Sequence, residues 1–212
     1  RGGRGGRTRA QRRSADEGRS FLTKKGGGNK IGEKIMDERI SIYTDPYNTE
    51  SPISPWAQDG QANKKVDLIK NGVVANMLYD RFWAAKKNVA PVPFPGNVIM
   101  DGGTASLEDM IRDTKKGILV TRFWYVRSVD PQTQLYTGLT RDGTFFIENG
   151  KIKYPVKNFR FNESPVIMFN NLETLGKQVR IGRSLGPSAG GSFYIPAVKV
   201  RDFTFTSLSD AV

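Results

Sequence analysis

The chain has 212 residues, with 33 Lys and Arg, 21 Asp and Glu and no His or Cys, so its formal net charge is +12. The lack of Cys and His excludes disulfides, thiolate or imidazole metal ligands and imidazole general bases. Its 37% hydrophobic content predicts a globular protein. We expect a cytoplasmic protein without a transmembrane segment, because no apolar run approaches the roughly 18 residues that such a segment needs. The first residue is Arg rather than Met, which predicts a fragment of a longer protein.

The first thirteen residues, RGGRGGRTRAQRR, contain six arginines and no acid, and so carry half of the net charge. One hypothesis is an RGG-type tail that binds RNA through phosphate contacts and stacking. The other, which the short repeat and the lack of interleaved Phe or Tyr favour, is a disordered end or an artefact of the gene sequence. We expect residues 1–18 to be a disordered tail and residues 19–212 to form the folded domain.

The glycines Gly26–Gly28 precede a predicted strand over Ile35–Tyr43, where apolar and polar residues alternate. This glycine-rich stretch lacks the Gly-Lys-Ser/Thr ending of a P-loop and fits no GxGxxG pattern, so we interpret it as a connecting loop. A long surface loop is predicted over Asp45–Asn63, with Trp56 as its bulky anchor.

Asn71-Gly72 lies between two apolar runs and predicts a β-hairpin. A short helix is predicted from Leu78 to about Asn88. A second helix is predicted to begin at a Ser106 cap and to end at Gly117. A strand with the sequence ILVTRFWYV follows it directly.

Two further dipeptides, Asp142-Gly143 and Asn149-Gly150, predict hairpins within a meander of short strands. A third helix is predicted from a Ser164 cap to Leu175, and a final strand over AVKVRDFTFTS. Together these elements predict an α+β fold, a mainly antiparallel, barrel-like β domain with a few short helices.

The residues alone predict no catalytic residue, no metal ligand and no defined substrate-binding residue. Adjacent carboxylates point in different directions along a helix or strand, so they do not form two-carboxylate sites. The serines have no His to activate them. The aromatic run could stack bases, but on a strand it more often belongs to a core. The residues considered are Asp37/Glu38, Glu108/Asp109, Ser20, Ser184, Ser188, Ser192, Phe123, Trp124 and Tyr125.

Several segments, in one consistent order, resemble the C-terminal half of the TldD/PmbA family, once called modulators of DNA gyrase. The most specific are the IENGKIKYPV segment and the KNGV hairpin followed by YDRFWAAK; the others are SFL…GGGNKIGEKI…DP, EDMIRDTKKGILVT and GGSFYIPAVKV. They extend from about Ser20 to Phe203, and their order and spacing are closer to the PmbA-like (TldE-like) side than to TldD.

The resemblance implies a β-rich C-terminal domain, assembly as homo- or heterodimers around a cavity, and cleavage of flexible peptides by the active subunit. It also implies zinc in that subunit, held by a HExxxH helix and a later Cys. In this chain the helix would lie before residue 20 and the Cys near Gly190, and neither is present. No zinc ligand or catalytic residue is therefore transferred, and whether the chain is itself an enzyme stays open.

The leading hypothesis is that the chain supplies scaffold, dimer surface and peptide channel in peptide proteolysis, without a cofactor of its own. Its expected partners are a peptide substrate and a TldD/PmbA-type subunit, with no membrane and no nucleic acid. The alternative is an RNA-binding protein that uses the N-terminal tail.

Overall fold

The structure is a computed structural model that describes residues 12–57, 59–93, 96–181 and 193–209. Four short helices and thirteen strands are present in these ranges. The helices are α1 (Arg12–Asp16), α2 (Arg81–Lys87), α3 (Leu107–Arg112) and α4 (Pro165–Asn170). The strands are β1 (Ile42–Thr44), β2 (Val66–Lys70), β3 (Val73–Val74), β4 (Val98–Met100), β5 (Lys116–Val120), β6 (Phe123–Asp130), β7 (Leu135–Thr140), β8 (Thr144–Glu148), β9 (Lys151–Pro155), β10 (Asn158–Glu163), β11 (Leu172–Ile181), β12 (Phe193–Val200) and β13 (Phe205–Ser209).

The strands form three sheets, with the orders β11-β12-β4-β1-β2-β3, β13-β10-β7-β6 and β5-β8-β9. Neighbouring strands are antiparallel, apart from the parallel pair β12 and β4. The α+β class and the mainly antiparallel pairing are thereby confirmed. Within the described ranges the three sheets stay open and do not close into a barrel. None of the described helices is long and apolar enough to cross a membrane.

The main core lies against the six-stranded sheet. Its buried members are Met36 and Ile40, which precede β1, together with Met100 of β4 and Leu172 of β11. Helix α4 adds partly buried apolar side chains to the same cluster. Complete burial of such a side chain contributes about 1.5–3 kcal/mol, so this contact fixes α4 and the start of β11 against the sheet.

Two of the three predicted hairpins are confirmed. Asn71-Gly72 joins β2 to β3, and Asn149-Gly150 joins β8 to β9, each with two successive positive φ angles. The prediction for Asp142-Gly143 is wrong, because β7 and β8 on either side of it belong to different sheets. Both residues do adopt positive φ, so the dipeptide makes a sharp turn, but the flanking strands pair with β10 and β5 instead.

Two helices end earlier than predicted. Helix α3 ends at Arg112, and Gly117 lies in β5, where it pairs with Ile147 of β8. Helix α4 ends at Asn170, and Leu172 begins β11 because its side chain is buried in the main core. In both places pairing and burial override a local helical pattern.

Two predicted strands are also shorter than expected. The strand predicted over Ile35–Tyr43 is reduced to β1, which begins at Ile42 and ends at Thr44. The final predicted strand is divided between β12 and β13, which lie in different sheets. Asp202, with a φ of 55°, lies in the break between them.

The predicted disorder is wrong for residues 12–18. Residues Arg12–Asp16 form α1, and the Ala15 side chain is fully buried against Val74 and Met77. Residues 1–11 lie outside the described ranges.

Candidate functional site

One end of the six-stranded sheet collects several loops, and we call it the loop end. Strands β1 and β11 end there, at Thr44 and Ile181. Strands β2, β4 and β12 begin there, at Val66, Val98 and Phe193. The long segment between β1 and β2 and the segment before β4 therefore meet at the loop end of the sheet.

The buried side chain of Asn97 holds the long loop to the loop end. Its Oδ1 accepts hydrogen bonds from Thr44 Oγ1 at 2.7 Å and from the Asp45 amide at 3.2 Å. Its Nδ2 donates to the carbonyls of Asp45 at 2.8 Å and Ser51 at 2.6 Å. Both acceptor positions and both donors of the amide are thus used. Asn97, for which the sequence predicted no role, is the anchor of the loop.

Trp56, predicted to anchor this loop, instead exposes 67% of its surface, so that interpretation is wrong. Tyr47 is even more exposed, at 84%. The two rings border an apolar cavity of about 300 Å³, whose other lining residues are Pro46, Ile53, Pro55, Ala62 and Asn63. Exposed aromatic rings around a cavity are typical of surfaces that contact another molecule.

The outer strand of the six-stranded sheet, β11, turns part of its backbone away from its neighbour. Gln178 pairs with Pro196 of β12, and proline has no N–H to exchange. This register favours a non-hydrogen-bonded pair at Gln178 and, two residues on, an Arg180 backbone that faces the outer edge. The Gln178 amide is covered by the chain at Gly102, where an added Cβ would lie 3.0 Å from the Gln178 nitrogen. Val179 and Ile181, the residues on either side of Arg180, expose 53% and 43% of their surfaces.

The earlier part of the same strand is already covered. The Gly103 amide donates to the Gly176 carbonyl at 2.8 Å, and the Lys177 amide donates to the Ala105 carbonyl at 2.9 Å. The Arg39 guanidinium binds the carbonyls of the first two residues of β11. The outward-facing edge is therefore limited to residues 179–181, next to the loop end.

The carboxylate pairs singled out in the sequence do not form two-carboxylate sites. Asp37 accepts two side-chain hydrogen bonds of 2.8 Å from Arg39, which lower its pKa to about 2. Asp109 accepts hydrogen bonds from the Ser106 amide and hydroxyl in a capping box, and these lower its pKa to about 2. Both carboxylates stay ionised at neutral pH and serve local structure.

The aromatic run on β6 is partly packed and partly exposed. The Phe123 ring stacks on Phe203 and meets Phe161 edge-on. The guanidinium of Arg122 lies 4.4 Å from the Trp124 ring centroid, and Tyr125 exposes 60% of its surface. Of the serines considered, Ser20 is buried, and Ser184, Ser188 and Ser192 lie outside the described residues.

The residues do not fit a zinc site. The sequence contains no His and no Cys. Across the described ranges, no group of three or more Asp and Glu side chains is placed to hold a metal ion. Gly190, the position of the expected Cys, lies outside those ranges.

Comparison with known proteins identifies the family. The family model described as "PmbA/TldA metallopeptidase C-terminal domain" matches residues 8–207. The chain is 23% identical over 178 residues to the metalloprotease PmbA of Escherichia coli O157:H7, covering 81% of this chain and 38% of that protein. It is 22% identical over 200 residues to the zinc metalloprotease TldD homolog of Saccharolobus solfataricus, covering 80% and 42%.

Two solved structures share the fold. A protein from Bacteroides thetaiotaomicron, described as a modulator of DNA gyrase, gives a TM-score of 0.76 at 24% identity, covering 95% of this chain and 43% of that one. TldE of Thermococcus kodakarensis gives 0.69 at 22% identity, covering 85% and 42%. The chain thus spans less than half the length of these relatives. Because the family model accounts for nearly the whole sequence, the chain belongs to the PmbA/TldD family and corresponds to its C-terminal domain.

Proposed function

We propose that this domain acts in the proteolysis of flexible peptides in the cytoplasm, as scaffold and as one wall of a peptide channel. The observation that carries the proposal is the register of the edge strand β11 with Pro196, which favours an outward-facing Arg180 backbone between the exposed Val179 and Ile181. The metalloprotease names of its relatives support proteolysis as the process. The chain's own role in it is inferred from the edge of β11.

A flexible peptide would bind by adding a strand to β11. Its backbone groups would pair with the amide and carbonyl of Arg180, which gives affinity with little dependence on peptide sequence. The exposed side chains of Val179 and Ile181 would contact apolar side chains of the peptide. The aromatic cavity at Tyr47 and Trp56 lies at the same end of the sheet and would contact residues beyond the added strand.

In this proposal the chain itself does not bind the catalytic zinc. A metal-bound water is a sound basis for peptide hydrolysis, but this chain offers neither imidazole nor thiolate ligands. We therefore assign the hydrolytic step to a TldD-type partner subunit and the binding of the peptide backbone to this domain.

The test is a fluorescence anisotropy titration of a short labelled peptide rich in Thr and Val. Arg180→Pro removes the outward N–H, and an edge strand tolerates proline where the N–H faces away from its neighbour. Arg180→Ala removes the same charge and keeps the N–H. We expect at least tenfold weaker binding for Arg180→Pro and near wild-type binding for Arg180→Ala. Equal affinities for the two variants would refute strand addition at this edge.

We further propose that the four-stranded sheet supplies the dimer surface. Its edge strand β6 exposes Tyr125, Val126 and Val129 by 60%, 48% and 56%. Such an apolar edge favours association with a second copy or a TldD/PmbA-type subunit. Light scattering should show self-association of the wild-type chain and mostly monomer for Val129→Lys. A monodisperse wild-type monomer that also fails to bind a TldD/PmbA-type subunit would contradict this part of the proposal.

The RNA-binding alternative has no support in the described residues. Arg12 and Arg13 are the two arginines of the tail that the structure describes. The Arg12 guanidinium lies over the Tyr79 ring, and Arg13 lies over the Trp83 ring and binds Glu17 at 3.0 Å. Both guanidinium groups thus pack on aromatic rings of the fold, unlike the freely flexible arginines that an RGG-type tail requires.

A further inference from the structure

A second, polar pocket of about 320 Å³ lies between α1, α2 and the glycine loop. Its lining residues fall within residues 12–89 and are distant in sequence from β11. Two of its lining side chains are cations, Arg12 and Lys87, and one is a carboxylate, Asp16. The remaining lining residues are Gly28, Asn29, Tyr79 and Val89. The lining therefore carries one excess positive charge.

The Arg12 side chain, which lines this pocket, includes an unsatisfied donor. Its Nε is buried and has no hydrogen-bond partner among the described residues. The guanidinium lies 4.4 Å from the centroid of the Tyr79 ring, and its Nε is 3.9 Å from Asp16 Oδ1, too far for a hydrogen bond. A buried, unpaired donor of a charged group is rare, because it loses water without gaining a partner.

Asp16 is already engaged by other donors. Its Oδ2 accepts hydrogen bonds from the Tyr79 hydroxyl at 2.8 Å and from Trp83 Nε1 at 3.1 Å, and its Oδ1 accepts from Asn29 Nδ2 at 3.1 Å. Burial opposes its ionisation, but these hydrogen bonds outweigh that effect and lower its pKa. The carboxylate thus organises the wall of the pocket and leaves Arg12 Nε unsatisfied.

Lys87, the last residue of α2, is the second cation of the pocket. Its Nζ lies 5.3 Å from the centroid of the Trp83 ring, and within the described ranges it forms no ion pair. Its neighbour Lys86 lies over the same ring at 5.0 Å but does not line the pocket. The two lysines are therefore a matched pair, of which only one faces the cavity.

We propose that this pocket binds a small oxyanion group, a carboxylate or a phosphate, through the Arg12 guanidinium and the Lys87 ammonium. Hydrogen bonds from cations to such groups are about twice as strong as neutral ones. The Arg12 side chain is 29% exposed, so an oxyanion in the pocket can approach the accessible part of the guanidinium. The site is independent of peptide binding at β11 and holds whether or not that proposal is correct.

The experiment is calorimetric titration of the intact chain at constant ionic strength with three probes. These are inorganic phosphate, N-acetylglycine, which has a free carboxylate, and the amide of N-acetylglycine; the last two are too short to add a strand to β11. We expect phosphate, the free acid or both to bind, and the amide not to bind. Binding of phosphate alone identifies a phosphate group as the ligand, and binding of the free acid alone identifies a carboxylate.

The variants test whether the pocket is responsible. Lys87→Gln should weaken binding at least tenfold, Lys87→Arg should retain most of it, and Lys86→Gln should leave it near the wild-type value. Thermal melts of each variant check that the fold is intact. The proposal is overturned if no oxyanion probe binds the wild type, if the amide binds as well as the acid, or if Lys86→Gln and Lys87→Gln weaken binding equally.

Discussion

Asn97 Oδ1 accepts a hydrogen bond of 2.7 Å from Thr44 Oγ1, and both side chains are almost completely buried. This contact joins the end of β1 to the residue that precedes β4. The same amide binds the backbone of Asp45 and Ser51, so a single side chain orders the start of the long loop. The exposed aromatic cavity of the loop end depends on this arrangement.

Replacement of Asn97 by Ala should lower the free energy of unfolding by about 2–4 kcal/mol, because it leaves several buried polar groups without partners. Asn76→Ala is the control, since Asn76 is exposed and the one described hydrogen bond of its side chain goes to the Asp67 carbonyl. It should cost about 0.5–1 kcal/mol. Urea denaturation of the two variants measures the difference, and similar losses would contradict the role of Asn97.

Gly72 and Gly60 have nearly identical φ angles of 76° and 77° but different surroundings. A Cβ on Gly72 would lie 2.2 Å from the Met36 carbonyl oxygen, whereas a Cβ on Gly60 would have only Arg81 Nη1 nearby, at 3.8 Å. Gly60→Ala should cost about 1–2 kcal/mol for backbone strain alone. Gly72→Ala should cost about 3 kcal/mol or more, since a clash adds to the strain. Thermal melts that rank the two variants in the reverse order would refute this close approach.

Asp109 makes the stability of α3 depend on pH. Its pKa is about 2 in the folded protein, below the ordinary value of 3.8, so the ionised form stabilises the fold. That contribution is complete above about pH 4 and is lost as the pH falls through about 2. Asp109→Asn should therefore lower the melting temperature at neutral pH and make little difference near pH 2.

Glu108→Gln is the control for Asp109, because no described hydrogen bond ends on the Glu108 carboxylate although it lies in the same turn. Its effect at neutral pH should be smaller. A melting-temperature difference for Asp109→Asn that is as large near pH 2 as at neutral pH would show that charge is not the cause.

Local signals predicted much of the fold. The Ser106 cap and the Asn-Gly turns depend on short-range geometry, and α3 and the two hairpins form where these residues predict them. Ser164 occupies the N-cap position of α4, but its hydroxyl donates to the Thr133 carbonyl at 3.0 Å instead of capping the helix. Long-range pairing could not be read in the same way. Asp142-Gly143 satisfies a turn, but the choice of sheet on either side of it depends on strands that are distant in sequence.

The candidate site was less accessible to sequence analysis than the fold. Trp56 has the large apolar side chain expected of an anchor, yet it is exposed. The loop is instead held by Asn97, whose side chain makes four hydrogen bonds to Thr44, Asp45 and Ser51. The one available signal was the position of Asn97 directly before a strand, where a polar residue must find partners if it is buried. The outward edge of β11 becomes visible only through its register with Pro196.

Amide hydrogen exchange of the chain with and without a short Thr- and Val-rich peptide tests the central claim most directly. If the peptide adds a strand to β11, the amide of Arg180 should exchange more slowly with the peptide present, while those of β6 and β9 should not change. Unchanged exchange over residues 179–181 at saturating peptide, or protection confined to β6 or β9, would contradict the assignment of the peptide-binding edge.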